Sequence, residues 1–495
     1  MKRGLSFEDV RSEPGQSSNA DPHYDAPLPY VFPLFLVFLA FSYLQAGDRV
    51  ALLGAIRFEF VLGAILIVFS VMAIAKRGPS FEWTAVGKWA LALLVILLIM
   101  TVFSFDPATS RAIYADRVFK FALLGFFIVA LVTNPFRLKL FLIVFLLVAA
   151  KMGQEGLHGT VTGMMIWENQ GIPRLHGSTP NYAHPNSFSG MAVGMLPFVV
   201  FIFPLVAWKW RVALLFLAFM LLNIVLRTGS RTGYLGLFGG LIWLVAQSRY
   251  RGRATLGVVL LALAVAPFVP QDYVDRFTTI FETVEVGDHT SSGQRKEILI
   301  DAWEVFTKRP LGVGVQAFPA VRIQWFGRFQ DTHNLYLEVL TNAGIQGFIV
   351  FTGFVIAVLV TLRRTQVQVE QSLRDVGWEP GAEPEQAPPD DVRAAHVSDL
   401  RWIRAACLAV MGFVIIRLIL GLFGHDLYER YWWFAGGSAI ALWNLGKQAE
   451  TKTRTLLSER RKWPGTPRFG TLPQVSIPSL REKRASSGGP GPQGA

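Results

Sequence analysis

The feature that most constrains this chain is a succession of about a dozen apolar runs, most of them nearly long enough to cross a bilayer as helices. Hydrocarbon offers no water to backbone N–H and C=O groups, so a run of ~20 apolar residues placed there folds as helix. The runs fall at 31–46, 58–75, 89–105, 119–132, 136–150, 188–208, 212–225, 233–246, 254–269, 334–362, 403–423 and 431–445. They predict an all-α polytopic membrane protein with about 12 transmembrane helices. Composition agrees, since 52% of residues are hydrophobic and 17% charged, against about 25% charged in soluble domains. The net charge of +12 would suggest nucleic acid in a soluble chain. Here the basic residues sit in short clusters between apolar runs, where they set orientation, and no nucleic-acid partner is implied. The one cysteine, Cys407, lies inside an apolar run, which excludes an internal disulfide and thiolate–zinc chemistry.

One register puts nearly every basic cluster on the same side. With a cytoplasmic N-terminus, the inside segments carry Lys76, Arg77, Arg137, Lys139, Lys209, Arg211, Arg363, Arg364, Arg401 and Arg404. Both termini are then cytoplasmic. Residues 1–28 read as a disordered tail with no cleavable signal, and the first run as an uncleaved signal anchor. Spans one to nine occupy 29–269, and residues 270–333 form a long, partly helical external loop. Span ten covers 334–362, an acidic Pro-rich cytoplasmic linker covers 363–400, and the last two spans cover 401–446. Residues 447–495 read as a disordered basic tail suited to anionic lipid. No internal repeat is visible. Long ordered loops are usually functional, which draws attention to 270–333.

Within that loop, residues 294–306 have the pattern of an amphipathic helix, with Ile298, Leu299, Ala302, Trp303 and Phe306 on one face and Arg295 starting its polar side. Arg295 is either a solvated arginine or a partner for an anionic headgroup. Asp331 or Thr332 is placed to cap the next helix. His333 then falls in its first turn, where the helix dipole disfavours imidazolium. A neutral imidazole there takes a proton from a hydroxyl, unless it is a plain interfacial histidine. Asn334 and Tyr336 adjoin it and are placed to orient the ring or an acceptor.

Between spans seven and eight, the short turn 227–233 places Arg227 and Arg231 on the external side. Guanidinium forks match phosphate oxygens in pairs, either on a substrate or on ordinary lipid headgroups. Arg417 lies inside an apolar run, where arginine is costly and by default a functional candidate; pairing with Asp426 or snorkelling are the other readings. The loop 176–186 holds His176, His184 and two amides but lacks a third metal ligand, so it reads as a polar loop lining a cavity.

The order Ser230-Arg231, then Arg295, then His333-Asn334-Leu335-Tyr336-Leu337 running on to Gly344 and Gly347 resembles the O-antigen ligase and O-antigen polymerase superfamily of bacterial envelope glycosyltransferases. The resemblance is specific across 190–351 and topological elsewhere. It implies a GT-C-type fold without metal or other cofactor, at the periplasmic face of the bacterial inner membrane. It implies a glycan donor carried on undecaprenyl diphosphate and a glycan, lipid or protein acceptor. Ligases of this kind pass the glycan to lipid A–core, and polymerases pass it to another lipid-linked repeat unit. By the same resemblance Arg231 and Arg295 bind the diphosphate and His333 orients or deprotonates the acceptor hydroxyl; the residue pattern itself adds Arg227, Asn334, Tyr336 and Arg417 as candidates for support.

Elementary chemistry points the same way. Nucleotide sugars do not reach the periplasm, so a donor there is lipid-borne. Its diphosphate leaving group needs charge stabilisation, which two arginines supply in place of a metal. No external Asp-x-Asp is present. The motifs are shared by ligases and polymerases. The linker and basic tail lie outside the family core and also suit an exopolysaccharide or glycoprotein system. A polymerase needs a second basic site, for which Arg57, Arg111, Arg117 and Arg417 are available. A transporter is opposed by the lack of a repeat and of broken helices in corresponding halves.

Overall fold

A computed structural model describes residues 30–78, 81–169, 172–248, 250–265, 291–378 and 392–462. Within those residues, each of the twelve apolar runs is occupied by helix. In chain order the helices are α1 (Val31–Leu44), α2 (Ala46–Arg49), α3 (Ala51–Ala55), α4 (Phe58–Ala75), α5 (Thr84–Val102), α6 (Pro107–Ile113), α7 (Lys120–Leu131), α8 (Pro135–Thr162), α9 (Pro185–Ile202), α10 (Trp208–Arg227), α11 (Arg231–Gln247), α12 (Arg251–Val265), α13 (Ser291–Lys308), α14 (Phe318–Phe326), α15 (Leu335–Asp375), α16 (Val392–Leu420) and α17 (Arg430–Lys462). A single π-helical turn, Tyr114–Phe119, leads into α7. Among the described residues six helices are long and apolar enough to cross a membrane by length and composition alone, and α1 is a shorter apolar helix. The chain is an all-α multi-pass membrane protein.

The linker and tail correct the sequence reading, because both are helical where they meet the bundle. Helix α15 runs on to Asp375, α16 starts at Val392, and α17 continues to Lys462. The 41 residues of α15 extend about 60 Å at ~1.5 Å per residue, roughly twice the hydrocarbon thickness. These extensions are charged and so resemble linker in sequence. Yet Val369 and Leu373 of α15, Leu400 of α16 and Ala449 of α17 are all buried. The expected N-terminal tail 1–28, the linker centre 379–391 and the tail from 463 lie outside the described residues. So do residues 270–290 of the expected external loop, and α13 and α14 form within its remainder. A small antiparallel hairpin, β1 (Ile166–Asn169) with β2 (Ile172–Leu175), carries no sequence signal strong enough to be expected.

Helices α8, α9, α16 and α17 meet around Phe434, which is fully buried. Its ring lies 4.8 Å from Phe145, 5.6 Å from Phe413 and 6.0 Å from Phe198, centroid to centroid. Helices α7 and α17 cross with backbones almost touching: a Cβ on Gly125 would stand 2.7 Å from the Trp433 carbonyl oxygen. Small residues at a crossing let membrane helices pack closely where lipid is as apolar as the side chains. The outer surface stays apolar, with Phe60, Leu91 and Phe238 all exposed.

Helix α15 is broken near its start. Gly344 has φ 70°, a left-handed conformation that glycine adopts without steric cost. The kink frees carbonyls from the helical ladder, and the preceding loop uses them. Val313 N donates to Thr341 O at 2.8 Å and Gly314 N to Asn342 O at 3.0 Å, while Ile345 N donates to Pro310 O at 3.0 Å. Helix α15 is thus broken at Gly344, within an apolar run that gives no sign of it.

Helices α13 and α14 dock beside this kink and form a small core of their own from Ile298, Ala302, Val305, Phe318 and Val321. The buried face of α13 differs from the expected one, because Leu299 and Trp303 point outward. Asp301 is buried instead, held by Arg322 of α14 at 2.8 Å. Arg295 stands one turn before Ile298 on the inner stripe rather than on the polar side, and both face the cavity described next.

Candidate active site

Where the ends of α9, α11, α15 and α16 converge lies a polar cavity of about 450 Å³. Arg231, Arg295, His333 and Arg417 all line it. Four candidates from separate parts of the sequence therefore share one space. Arg227, Asn334 and Tyr336 do not line it. Arg227 ends α10 on the surface, and the other two hold the loop that carries His333.

Arg231 and Thr232 open α11, and both line the cavity. Ser230 caps that helix by accepting from Gly233 N at 3.1 Å. The turn is then pinned by a residue that sequence reasoning misses. Buried Arg174, on β2, donates through Nε to Thr228 O at 2.8 Å and through a terminal nitrogen to Asn186 Oδ1 at 2.7 Å. Asn186 Oδ1 also accepts from the Ser230 hydroxyl at 2.9 Å. A helix start beside a guanidinium suits an anion. Arg174 escapes notice in the sequence because only the hairpin brings it to this turn.

Arg295 approaches from α13. Burial first, and the Arg231 guanidinium second, hold it below the usual arginine range. Two like charges near each other in a partly dehydrated cavity repel, and an anion bound between them offsets that repulsion.

His333 sits just before α15 with φ 47°, left-handed and uncommon for a residue with a Cβ. The cap of α15 is Asn334, not Asp331 or Thr332: its Oδ1 accepts from Tyr336 N and Leu337 N, both at 3.0 Å. Asn334 Nδ2 also donates to Leu422 O at 3.1 Å, Leu335 N to Gly421 O at 2.7 Å, and the Tyr336 hydroxyl to Leu418 O at 2.8 Å. Backbone oxygens at the end of α16 and just past it thus grip the loop from the far side. The imidazole is held down to about 4, chiefly by burial, then by the neighbouring His425 and Arg295, with Asp331 opposing. It is neutral at physiological pH as expected, but burial is the main cause rather than the helix dipole.

Arg417 is buried and donates to Gly190 O at 3.0 Å. Its guanidinium lies 3.4 Å from the centroid of the Tyr431 ring and 3.7 Å from an Asp426 oxygen. The expected pairing with Asp426 is present and loose. His184 and Asn186 also line the cavity, in keeping with the reading of the 176–186 loop as a polar wall, and His176 does not. Among the described residues no group of three His, Cys, Asp or Glu is placed to hold a metal.

A second, more apolar cavity of about 730 Å³ lies alongside, walled by Phe38, Phe58, Phe121 and Phe127. Arg117 and Asn181 line both cavities, and Arg57 lines the second. Arg111 lines neither.

Residues 215–352 match the family described as O-antigen ligase. The match supports the resemblance to the O-antigen ligase and polymerase superfamily over that stretch. The matched stretch includes Arg231, Arg295 and His333, and it ends before Arg417. No curated protein matches the chain.

Proposed function

We propose that the protein is an O-antigen ligase-like glycosyltransferase of the inner membrane. It moves a glycan from undecaprenyl diphosphate to a hydroxyl acceptor on lipid A–core, an exopolysaccharide or a glycoprotein, at the periplasmic face. The observation that carries this reading is the meeting of Arg231, Arg295 and His333 in one cavity at one end of the bundle. Arg231 and Arg295 bind the diphosphate and stabilise the charge that develops on its oxygen as the glycosidic bond breaks. His333 takes the acceptor proton as the hydroxyl oxygen attacks the anomeric carbon. The fold is of GT-C type with twelve spans and both termini cytoplasmic.

Deleting the gene and comparing envelope glycans tests the activity. Full-length chains left on the carrier lipid are the expected result, and unchanged envelope glycans would overturn it. Labelling of introduced cysteines tests the orientation, since native Cys407 is fully buried. A membrane-impermeant maleimide is expected to reach Arg328→Cys and not Gln371→Cys in intact cells. The reverse result would invert the topology.

A polymerase is the second reading, favoured by the adjoining cavity with Arg57 and Arg117 on its walls. Single repeat units left on the carrier lipid in the deletion strain would select it.

A further inference from the structure

Opposite His333, the segment between α16 and α17 carries a second imidazole. The rings of His333 and His425 lie 5.1 Å apart, centroid to centroid, at 68°, edge to face. Both line the polar cavity. The contact is built rather than incidental, because two sets of bonds hold the segments together. The three bonds from 334–336 to Leu418, Gly421 and Leu422 fix one side. On the other, buried Glu338 accepts from Leu427 N at 3.0 Å, just past His425. The two rings differ in setting: His333 is half-buried and His425 is exposed. His425 also lies beyond the matched family stretch, which ends at 352.

We propose that His425 is a second proton-transfer residue, which receives the acceptor proton from His333 and releases it to water at the mouth of the cavity. This rests on the glycosyl-transfer reading above. The acceptor O–H bond breaks as its oxygen bonds the anomeric carbon, and the bond from that carbon to the diphosphate oxygen breaks with its electron pair going to the diphosphate. The proton passes to His333, then to His425 directly or through one water, and then to solvent. His333 is thereby returned to its neutral form for the next turnover. The groups facing His333 are His425, Asp331, Arg295 and His184, and of these His425 is the imidazole whose ring meets it edge to face.

Two measurements test the pair in the full-length protein in nanodiscs. The first needs no substrate: the rate at which diethyl pyrocarbonate modifies His333 is followed against pH by peptide mass spectrometry. His425→Asn is expected to move the midpoint upward, because His425 is among the charges that hold His333 down. An unmoved midpoint would overturn the coupling whatever the protein's activity. The second uses total carrier-lipid extract from the native cells as donor and acceptor source. His425→Asn and His425→Gln are expected to lower the turnover rate about 10- to 100-fold with KM little changed, and added imidazole to restore part of it. Full activity in both variants, or loss that imidazole does not restore, would overturn the proposal. If the unaltered protein itself transfers no glycan, the glycosyl-transfer reading fails and the relay built on it is overturned too, while the modification midpoint still reports whether the imidazoles are coupled.

Discussion

In the middle of α13, Asp301 is buried against Arg322 at 2.8 Å, and Arg328 adds a second contact at 3.3 Å. Nearer the start of the same helix, Arg295 turns into the cavity, and the charge that acts on it there is a second guanidinium, that of Arg231. The first arrangement carries its own counter-charge and holds α13 to α14. The second sets two guanidiniums near each other, and an anion between them would offset their mutual repulsion. One helix therefore joins its neighbour through an ion pair and brings a second arginine to the cavity wall.

The largest effect expected from the cavity side is that of His333→Ala, which should lower transfer about 10²- to 10⁴-fold while insertion and folding are unchanged. Transfer by His333→Ala at the unaltered rate with saturating acceptor would remove the histidine from the chemistry. On the paired side, Arg322→Gln should destabilise the protein by up to about 3–5 kcal/mol, because it leaves the buried Asp301 carboxylate with only the more exposed Arg328. A thermal midpoint unchanged by Arg322→Gln would break the contrast from the structural side. Arg231→Lys and Arg295→Lys should each lower transfer by about 10- to 100-fold, since a point charge does not reproduce the guanidinium fork. They should leave the thermal midpoint in place. A midpoint lowered as far as by Arg322→Gln would mean that Arg231 and Arg295 are structural.

The smallest effect is on pH dependence. His333 is held near 4, below its ordinary 6.5, so its basic form is complete at neutral pH and lost only as pH falls through about 4. Transfer should therefore stay level from pH 7 down to roughly pH 5, given the ordinary histidine value near 6.5. An acid limb already half-descended at about pH 6.5 would show that the cavity does not hold His333 down or that another group sets the limb. Arg295→Gln removes one of the cations that hold His333 down and should move that limb slightly upward.

Much of this is legible in the chain because membrane insertion leaves a strong signal. The apolar runs become helices with little shift, as 58–75 shows by coinciding with α4. Arg231, Arg295 and His333 stand out for being basic or titratable beside such runs. What escapes depends on closure in three dimensions. Arg174 matters only because a hairpin carries it to the turn before α11, and His425 only because its segment folds back over the start of α15. Periodicity misjudges the face of α13 because a buried ion pair displaces Leu299 and Trp303 from the inside. The extensions of α15 and α17 read as linker and tail because helices that pack outside the hydrocarbon carry charge on their remaining faces, which blurs the apolar period.

The loop that presents His333 is gripped through main-chain oxygens of Leu418, Gly421 and Leu422. A carbonyl accepts a proton from a neighbour whatever side chain its residue bears. Leu418 and Leu422 can therefore change their chemistry without releasing His333, whereas Gly421 cannot, because a Cβ there would stand 2.8 Å from Leu335. Under the proposed function, such a wall is a place to retune acceptor choice, by selection or by design, while Arg231 and Arg295 stay as they are.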